Sequence, residues 1–163
     1  MWLNGASETE EPLCVIADCR SPLGWTYPYC RKHLSELFGV CVKRSKVHGL
    51  GLFATRDFAK NERVVPYGGE LVKSQQQLNC RYSSTQSPNC TASYAVKVKQ
   101  GYVDALRLRH AWVYANHSDG RPNCMMTSDG IKTQRSIKAG TELLVDYGRE
   151  FEFQGRVSYF VLA

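Results

Sequence analysis

Residues 114–124 read "YANHSDGRPNC". The stretch is too polar for a buried strand, and Gly120 and Pro122 break any helix. Two readings compete: a polar turn satisfied by its own hydrogen bonds, or Asn116 and His117 held ready for a ligand. The flanking sequence has to decide.

Upstream, "SYAVKV" (93–98) and "YVDAL" (102–106) alternate apolar and polar residues around Lys-Gln-Gly, which predicts a hairpin. Downstream, "SIKAGTELLVDYG" (136–148) supplies a turn and a further strand. Earlier, "VHGLGLFATRDF" (47–58) sets two close glycines in an apolar run, and "ERVVPYGGELV" (62–72) carries a strand into Pro-Tyr-Gly-Gly. Two strands thus end on a tyrosine followed by glycine, Tyr67 and Tyr147. Residues 73–93 are polar, with three consecutive Gln, and read as a surface insertion containing about one helical turn. Many short strands without a long amphipathic helix predict a mostly β domain.

The N-terminal part has a different character. Cys14, Cys19, Cys30 and Cys41 crowd into a loop-rich segment whose only helical signal is "RKHLSELFG" (31–39), ending at Gly39. A boundary falls at residues 40–44, giving a module over 1–42, a domain over 43–150 and a tail over 151–163. Seven cysteines in a chain whose first twelve residues carry Glu8, Glu10 and Glu11 and no apolar signal core argue for an intracellular protein with thiols or metal ligands rather than disulfides. The spacing Cys14-x4-Cys19-x10-Cys30-x2-His33 supplies four ligands for one tetrahedral zinc, with Cys41 in reserve; buried free thiols are the alternative. Cys80, Cys90 and Cys124 read as ordinary thiols.

With 163 residues and 43% hydrophobic content the chain can bury a core unaided, and no apolar run is long enough to cross a membrane. The formal charge of +6 points to an acidic or nucleic-acid partner, although the densest basic group, Lys43, Arg44 and Lys46, is short enough to be a solvated face.

"HGLGLFA" (48–54), "YGGELV" (67–72), "ANHS…PNC" (115–124) and "ELLVDYG" (142–148), in this order, resemble the SET domain of protein-lysine methyltransferases. The resemblance covers roughly residues 43–150. It implies several short curved sheets with a C-terminal pseudoknot, in which the Asn-His strand threads a loop made by the C-terminal segment. It also implies S-adenosylmethionine as methyl donor and a protein lysine as acceptor, with a histone tail as the favoured substrate and a nuclear setting. A non-histone substrate, or a silent module that reads chromatin or nucleic acid, remains the alternative.

By the same resemblance Tyr147 is the catalytic tyrosine and Tyr67 lines the lysine channel. His48, Gly49 and Leu50 form the donor-binding loop, joined by Ser93, Tyr94, Asn116 and His117. Independent chemistry agrees with tyrosines at such a site. A free lysine amine is neutral in only about one molecule in a few thousand at pH 7, so an apolar aromatic channel that disfavours the ammonium helps supply the nucleophile.

This chain departs from the family pattern at several places. Leu50 stands where many members have Trp, Arg109-His110 replaces Gly-Asn, Val113 replaces an Arg, and the tail "REFEFQGRVSYFVLA" (149–163) has no Cys. Phe151, Phe153, Tyr159 and Phe160 are its candidates to cover the donor. Val145 and Met126 stand where other members place product-limiting aromatics, so dimethyl or trimethyl product is expected.

Overall fold

The computed structural model describes residues 12–83 and 94–147. Within them the chain forms ten short strands, two short α-helices and one 3₁₀ turn, so the mostly β expectation holds.

Helix α1 (Arg31–Phe38) lies where "RKHLSELFG" predicts it. Gly39 ends it in the left-handed region at φ 68°, a conformation glycine adopts without steric cost, and its N–H closes on Ser35 O. Leu34 is buried and anchors the helix on the strands that follow. Strands β1 (Val40–Arg44) and β2 (Leu50–Ala54) pair antiparallel.

Strand β3 (Arg63–Pro66) leads to β4 (Glu70–Val72) and then to helix α2 (Gln75–Ser83). Here the structure exceeds the single helical turn expected. Leu78 and Tyr82, four residues apart, are both buried against Val72, Ala95 and Tyr102, and two such anchors hold a nine-residue helix whose other positions are polar. Tyr82 also donates to the buried carboxylate of Asp104 at 2.8 Å. The expected hairpin forms as β5 (Ala95–Val98) and β6 (Gly101–Asp104), with β4 along the other side of β6.

After the 3₁₀ turn Ala111–Tyr114 come β7 (Asn116–His117), β8 (Cys124–Met126) and β9 (Gly130–Thr133). Strands β3, β9 and β8 make a second three-stranded sheet. The last strand, β10 (Leu144–Val145), pairs parallel with β7. It also sits beside β2, because Leu143 N–H donates to Leu52 O at 2.8 Å and Ala54 N–H to Thr141 O at 2.9 Å. Leu52, Val65, Val96, Ile131, Leu143 and Val145, all nearly solvent-free, form the core on which these small sheets converge.

Candidate active site

Asn116 and His117 belong to β7, and β10 runs alongside them, so the polar pair is held at the centre of the parallel crossing. Asn123 ties the crossing together. Its side-chain NH₂ donates to Glu142 O at 2.7 Å and its Oδ1 accepts from Leu144 N–H at 2.8 Å. It is 4% exposed, so these bonds satisfy an amide that would otherwise be costly to bury. The opening stretch is therefore two things: Asn123 fastens the knot, and Asn116 and His117 face an open cleft.

That cleft has a volume of about 630 Å³. Its walls come from the 47–50 loop, from Tyr94 and Arg109, from the 3₁₀ turn, and from Asn116, His117 and Tyr147. The structure thus gathers His48, Gly49, Leu50, Tyr94, Asn116, His117 and Tyr147 around one space; Ser93 lies outside the described residues.

The Asn116 amide locks the loop. Its Nδ2 reaches His48 O and Leu50 O, each at 3.1 Å, and the Glu142 carboxylate at 2.9 Å. Glu142 in turn accepts from Ser45 Oγ at 2.6 Å, and the Ser45 hydroxyl accepts from Val47 N–H at 2.8 Å. A carboxylate so placed joins the turn after β1, the Asn-His strand and its own segment. Gly51 is what lets it in: a Cβ there would lie 2.3 Å from Glu142 Oε1. Sequence reasoning missed Ser45, Asn123 and Glu142 as site residues, since nothing local marks a Glu in "GTELL" as a partner for an Asn far upstream.

His117 Nδ1 accepts the Tyr147 backbone N–H at 3.1 Å, which assigns the proton to Nε2 and directs it to Asp119 Oδ1 at 2.6 Å. The His117 and Tyr147 rings lie 5.1 Å apart, tilted by 32°. The Tyr147 hydroxyl donates to Ala115 O at 2.7 Å. Burial, reinforced by Tyr94, raises the Tyr147 pKa well above that of a free phenol, so Tyr147 stays protonated at neutral pH.

Tyr147 also lines a second, much narrower cavity of about 10 Å³, walled by Trp112, Ala115, Met126, Ile131 and Val145. A void of this size holds at most about one water. Tyr67 does not line the cleft; its ring meets Trp112 edge-on, with centroids 5.3 Å apart. Its hydroxyl is buried without a completed hydrogen bond, the Thr127 backbone amide being near but not well aligned. Burial raises this phenol's pKa as well. An orphaned hydroxyl inside an apolar wall is an acceptor waiting for a donor.

The N-terminal ligands expected for zinc converge. The ligand atoms of Cys14, Cys19, Cys30 and His33 all lie within 4.8 Å of one another. Individual separations are 3.3 Å for Cys14 Sγ to His33 Nδ1, 3.5 Å for Cys30 Sγ to the same nitrogen, and 4.0 Å between Cys19 and Cys30. Tetrahedral zinc, with bonds of about 2.3 Å to sulfur and about 2.0 Å to nitrogen, spaces its ligand atoms about 3.5–3.8 Å apart, so the donor set fits. Glu36 lies 3.8 Å from His33 Nε2, which leaves Nδ1 for the cluster. Cys41 is buried in β1, apart from the cluster. Cys80 is exposed, Cys124 is buried with its pKa pushed up to about 12 by desolvation, and Cys90 lies outside the described residues.

The tail residues Phe151, Phe153, Tyr159 and Phe160 also lie outside the described residues. No helix among the described residues is long and apolar enough to cross a membrane.

Comparison with known proteins agrees with this geometry. A family model for the SET domain matches residues 49–148. The histone-lysine N-methyltransferase trithorax of Drosophila virilis is 31% identical over 141 residues, covering 80% of this chain and 4% of the relative. The histone-lysine N-methyltransferase MEDEA of Arabidopsis thaliana is 32% identical over 117 residues, 66% of this chain and 16% of the relative. A solved structure described as "Structure of ctPRC2 in complex with H3K27me3 and H3K27M" superposes with a TM-score of 0.62 at 27% identity, covering 75% of this chain and 16% of that one. The chain thus spans a small fraction of the length of these relatives, and the part it shares is the part that builds the cleft and the knot: it belongs to the SET-domain family.

Proposed function

We propose that this chain is a protein-lysine methyltransferase that uses S-adenosylmethionine, with a histone tail as favoured substrate and the nucleus as its setting. The observation that carries the reading is the position of Tyr147, a wall shared by the open polar cleft and the narrow apolar cavity. The donor would lie in the cleft, and the target amine would approach the Tyr147 ring from the side of the narrow cavity, which at about 10 Å³ must widen to admit it. Relatives named as histone-lysine methyltransferases support the substrate class. The net charge of +6 would not attract a basic tail by itself, so it fits a chain that works beside nucleic acid.

S-adenosylmethionine bound in the cleft supplies a methyl group on a positively charged sulfur. The chain's residues do the rest. Trp112, Met126, Ile131 and Val145 exclude water and disfavour an ammonium, shifting the lysine toward its neutral, nucleophilic form. Tyr67 lines neither space, but its ring packs on Trp112 of the narrow cavity's wall. Its unpartnered hydroxyl would offer the amine an acceptor if the channel extends to it. Both tyrosines hold their protons, so they orient the amine rather than take a proton from it. Asn116 and His117 with the 48–50 loop grip the donor.

The division into a module over 1–42, a catalytic domain over 43–150 and a tail over 151–163 that covers the donor belongs to this proposal, as does zinc on Cys14, Cys19, Cys30 and His33. The test is incubation with labelled donor and a panel of histones. Tyr147→Phe keeps the ring, so the fold and donor binding should survive. Transfer should fall by about a hundredfold or more through loss of a positioned polar group. Near-wild-type turnover would remove Tyr147 from this role. Val113, at a position where many members carry Arg, favours one rival: a catalytically silent module that keeps the fold and binds chromatin or nucleic acid.

A further inference from the structure

Arg109 is the one Lys or Arg side chain among the described residues that line the cleft. It is exposed, forms no ion pair among the described residues, and its guanidinium carbon sits 4.6 Å over the Tyr94 ring. The guanidinium also reaches the Tyr114 hydroxyl, and with five N–H donors a stacked guanidinium bonded once still presents N–H groups to a planar anion. The one carboxylate in the same lining, Asp119, is engaged by His117.

Asn116 supplies the complementary feature. Its two amide hydrogens face three acceptors, His48 O, Leu50 O and Glu142 Oε1, and the flipped amide would set oxygen against all three. Oδ1 therefore has no donor among the described residues and remains an acceptor in the cleft wall. A cation without a carboxylate partner among the described residues and an open acceptor in one cleft match a group bearing both a carboxylate and an ammonium, the end of an α-amino acid.

The N-terminal module sets Arg109 in place. Arg109 O accepts the Tyr27 N–H at 2.8 Å, and the Tyr27 ring meets His110 edge-on at 5.4 Å. Next to it Tyr114 donates to Trp25 O. Residues 25–27 lie between Cys19 and Cys30, so the segment buttressing the cleft wall is framed by the Cys/His cluster.

We infer that Arg109 determines specificity for the carboxylate of the donor's amino-acid end, filling from seven residues before Asn116 the need for a cation that Val113 leaves open. The inference rests on the methyl-donor reading above. Isothermal titration of the full chain with S-adenosylhomocysteine and with 5′-methylthioadenosine tests it, because the second ligand keeps adenosine and thioether but lacks the amino-acid end. Arg109→Met should weaken S-adenosylhomocysteine by about tenfold or more, the scale of one charge-assisted contact, and leave 5′-methylthioadenosine within about twofold. Arg109→Lys should recover part of the loss. Equal weakening of both ligands, or unchanged S-adenosylhomocysteine binding, would overturn the assignment while leaving the donor reading intact. A wild-type chain that binds neither ligand would instead bring down the donor reading, and this inference with it.

Discussion

Replacing Glu142 with Ala should loosen the donor loop without dismantling the fold. The carboxylate receives Ser45 Oγ at 2.6 Å and Asn116 Nδ2 at 2.9 Å, and it is half-buried. Hydrogen bonds to a charged acceptor contribute about 1.5–3 kcal/mol each, and partial exposure lowers that range. The Asn116 amide keeps His48 O and Leu50 O as partners, so the loss is of order and alignment rather than of every contact. A penalty of about 2 kcal/mol on ligand binding corresponds to about thirtyfold in Kd. Glu142→Gln keeps an acceptor oxygen without its charge; at about half the strength, the loss is about fivefold. Gly51→Ala should mimic Glu142→Ala, since its Cβ would lie 2.3 Å from Oε1 and displace the carboxylate. Titration calorimetry with S-adenosylhomocysteine measures all three, with denaturant melts to check the fold. Binding by Glu142→Ala within twofold of wild type would refute the clamp.

Purified protein should carry about one zinc per chain, and Cys30→Ser should release it and expose the N-terminal segment to protease; metal-free protein with unchanged protection would sink the zinc assignment. The product should be dimethyl- or trimethyl-lysine, because Val145 and Met126 offer no phenol to the narrow cavity, whereas Val145→Tyr should halt at monomethyl at an overpacking cost of about 1–3 kcal/mol; mass spectrometry of wild-type product that stays monomethyl at long times would refute this. Burial lowers the His110 pKa below its ordinary value of 6.5, so its stabilising contribution is complete above that value and is lost as pH falls through the folded-state pKa. Wild-type stability should therefore drop more steeply as pH falls below about 6.5 than that of His110→Gln, and parallel melting curves would contradict it.

The parts of the fold that local pattern can encode were legible. Alternation around Lys-Gln-Gly marked the β5–β6 hairpin, and Gly39 marked the end of α1. Helix α2 was not legible at its full length, because Leu78 and Tyr82 are two anchors in a polar run and only the sheet beneath them reveals their value. At the site, Asn116, His117, Tyr67 and Tyr147 stood out through the order of motifs. Glu142, Ser45 and Asn123 did not, since their importance comes from bonds spanning as many as 97 residues, which no spacing rule reaches. Arg109 was visible only as a departure from the family, and its place in the cleft wall became meaningful once Tyr94 and Tyr27 were seen to hold it.

The parallel crossing of β7 and β10 also constrains how the protein can be made. Residues 141–147 complete three things at once: the edge of β2, the partner of the Asn-His strand, and the carboxylate that locks the 45–50 turn. On a ribosome these residues emerge after everything they organise. Until then β2 is paired on the β1 side alone, the Asn116 amide lacks Glu142, Asn123 lacks both its partners, and apolar side chains such as Leu52 are incompletely covered. Contacts this distant in sequence close slowly, because the intervening loop entropy is lost before any of them forms. A nascent chain stalled before Thr141 would be a candidate for chaperone capture and aggregation, not a partly active enzyme. Ligand affinity should therefore be absent from every length that stops short of Tyr147.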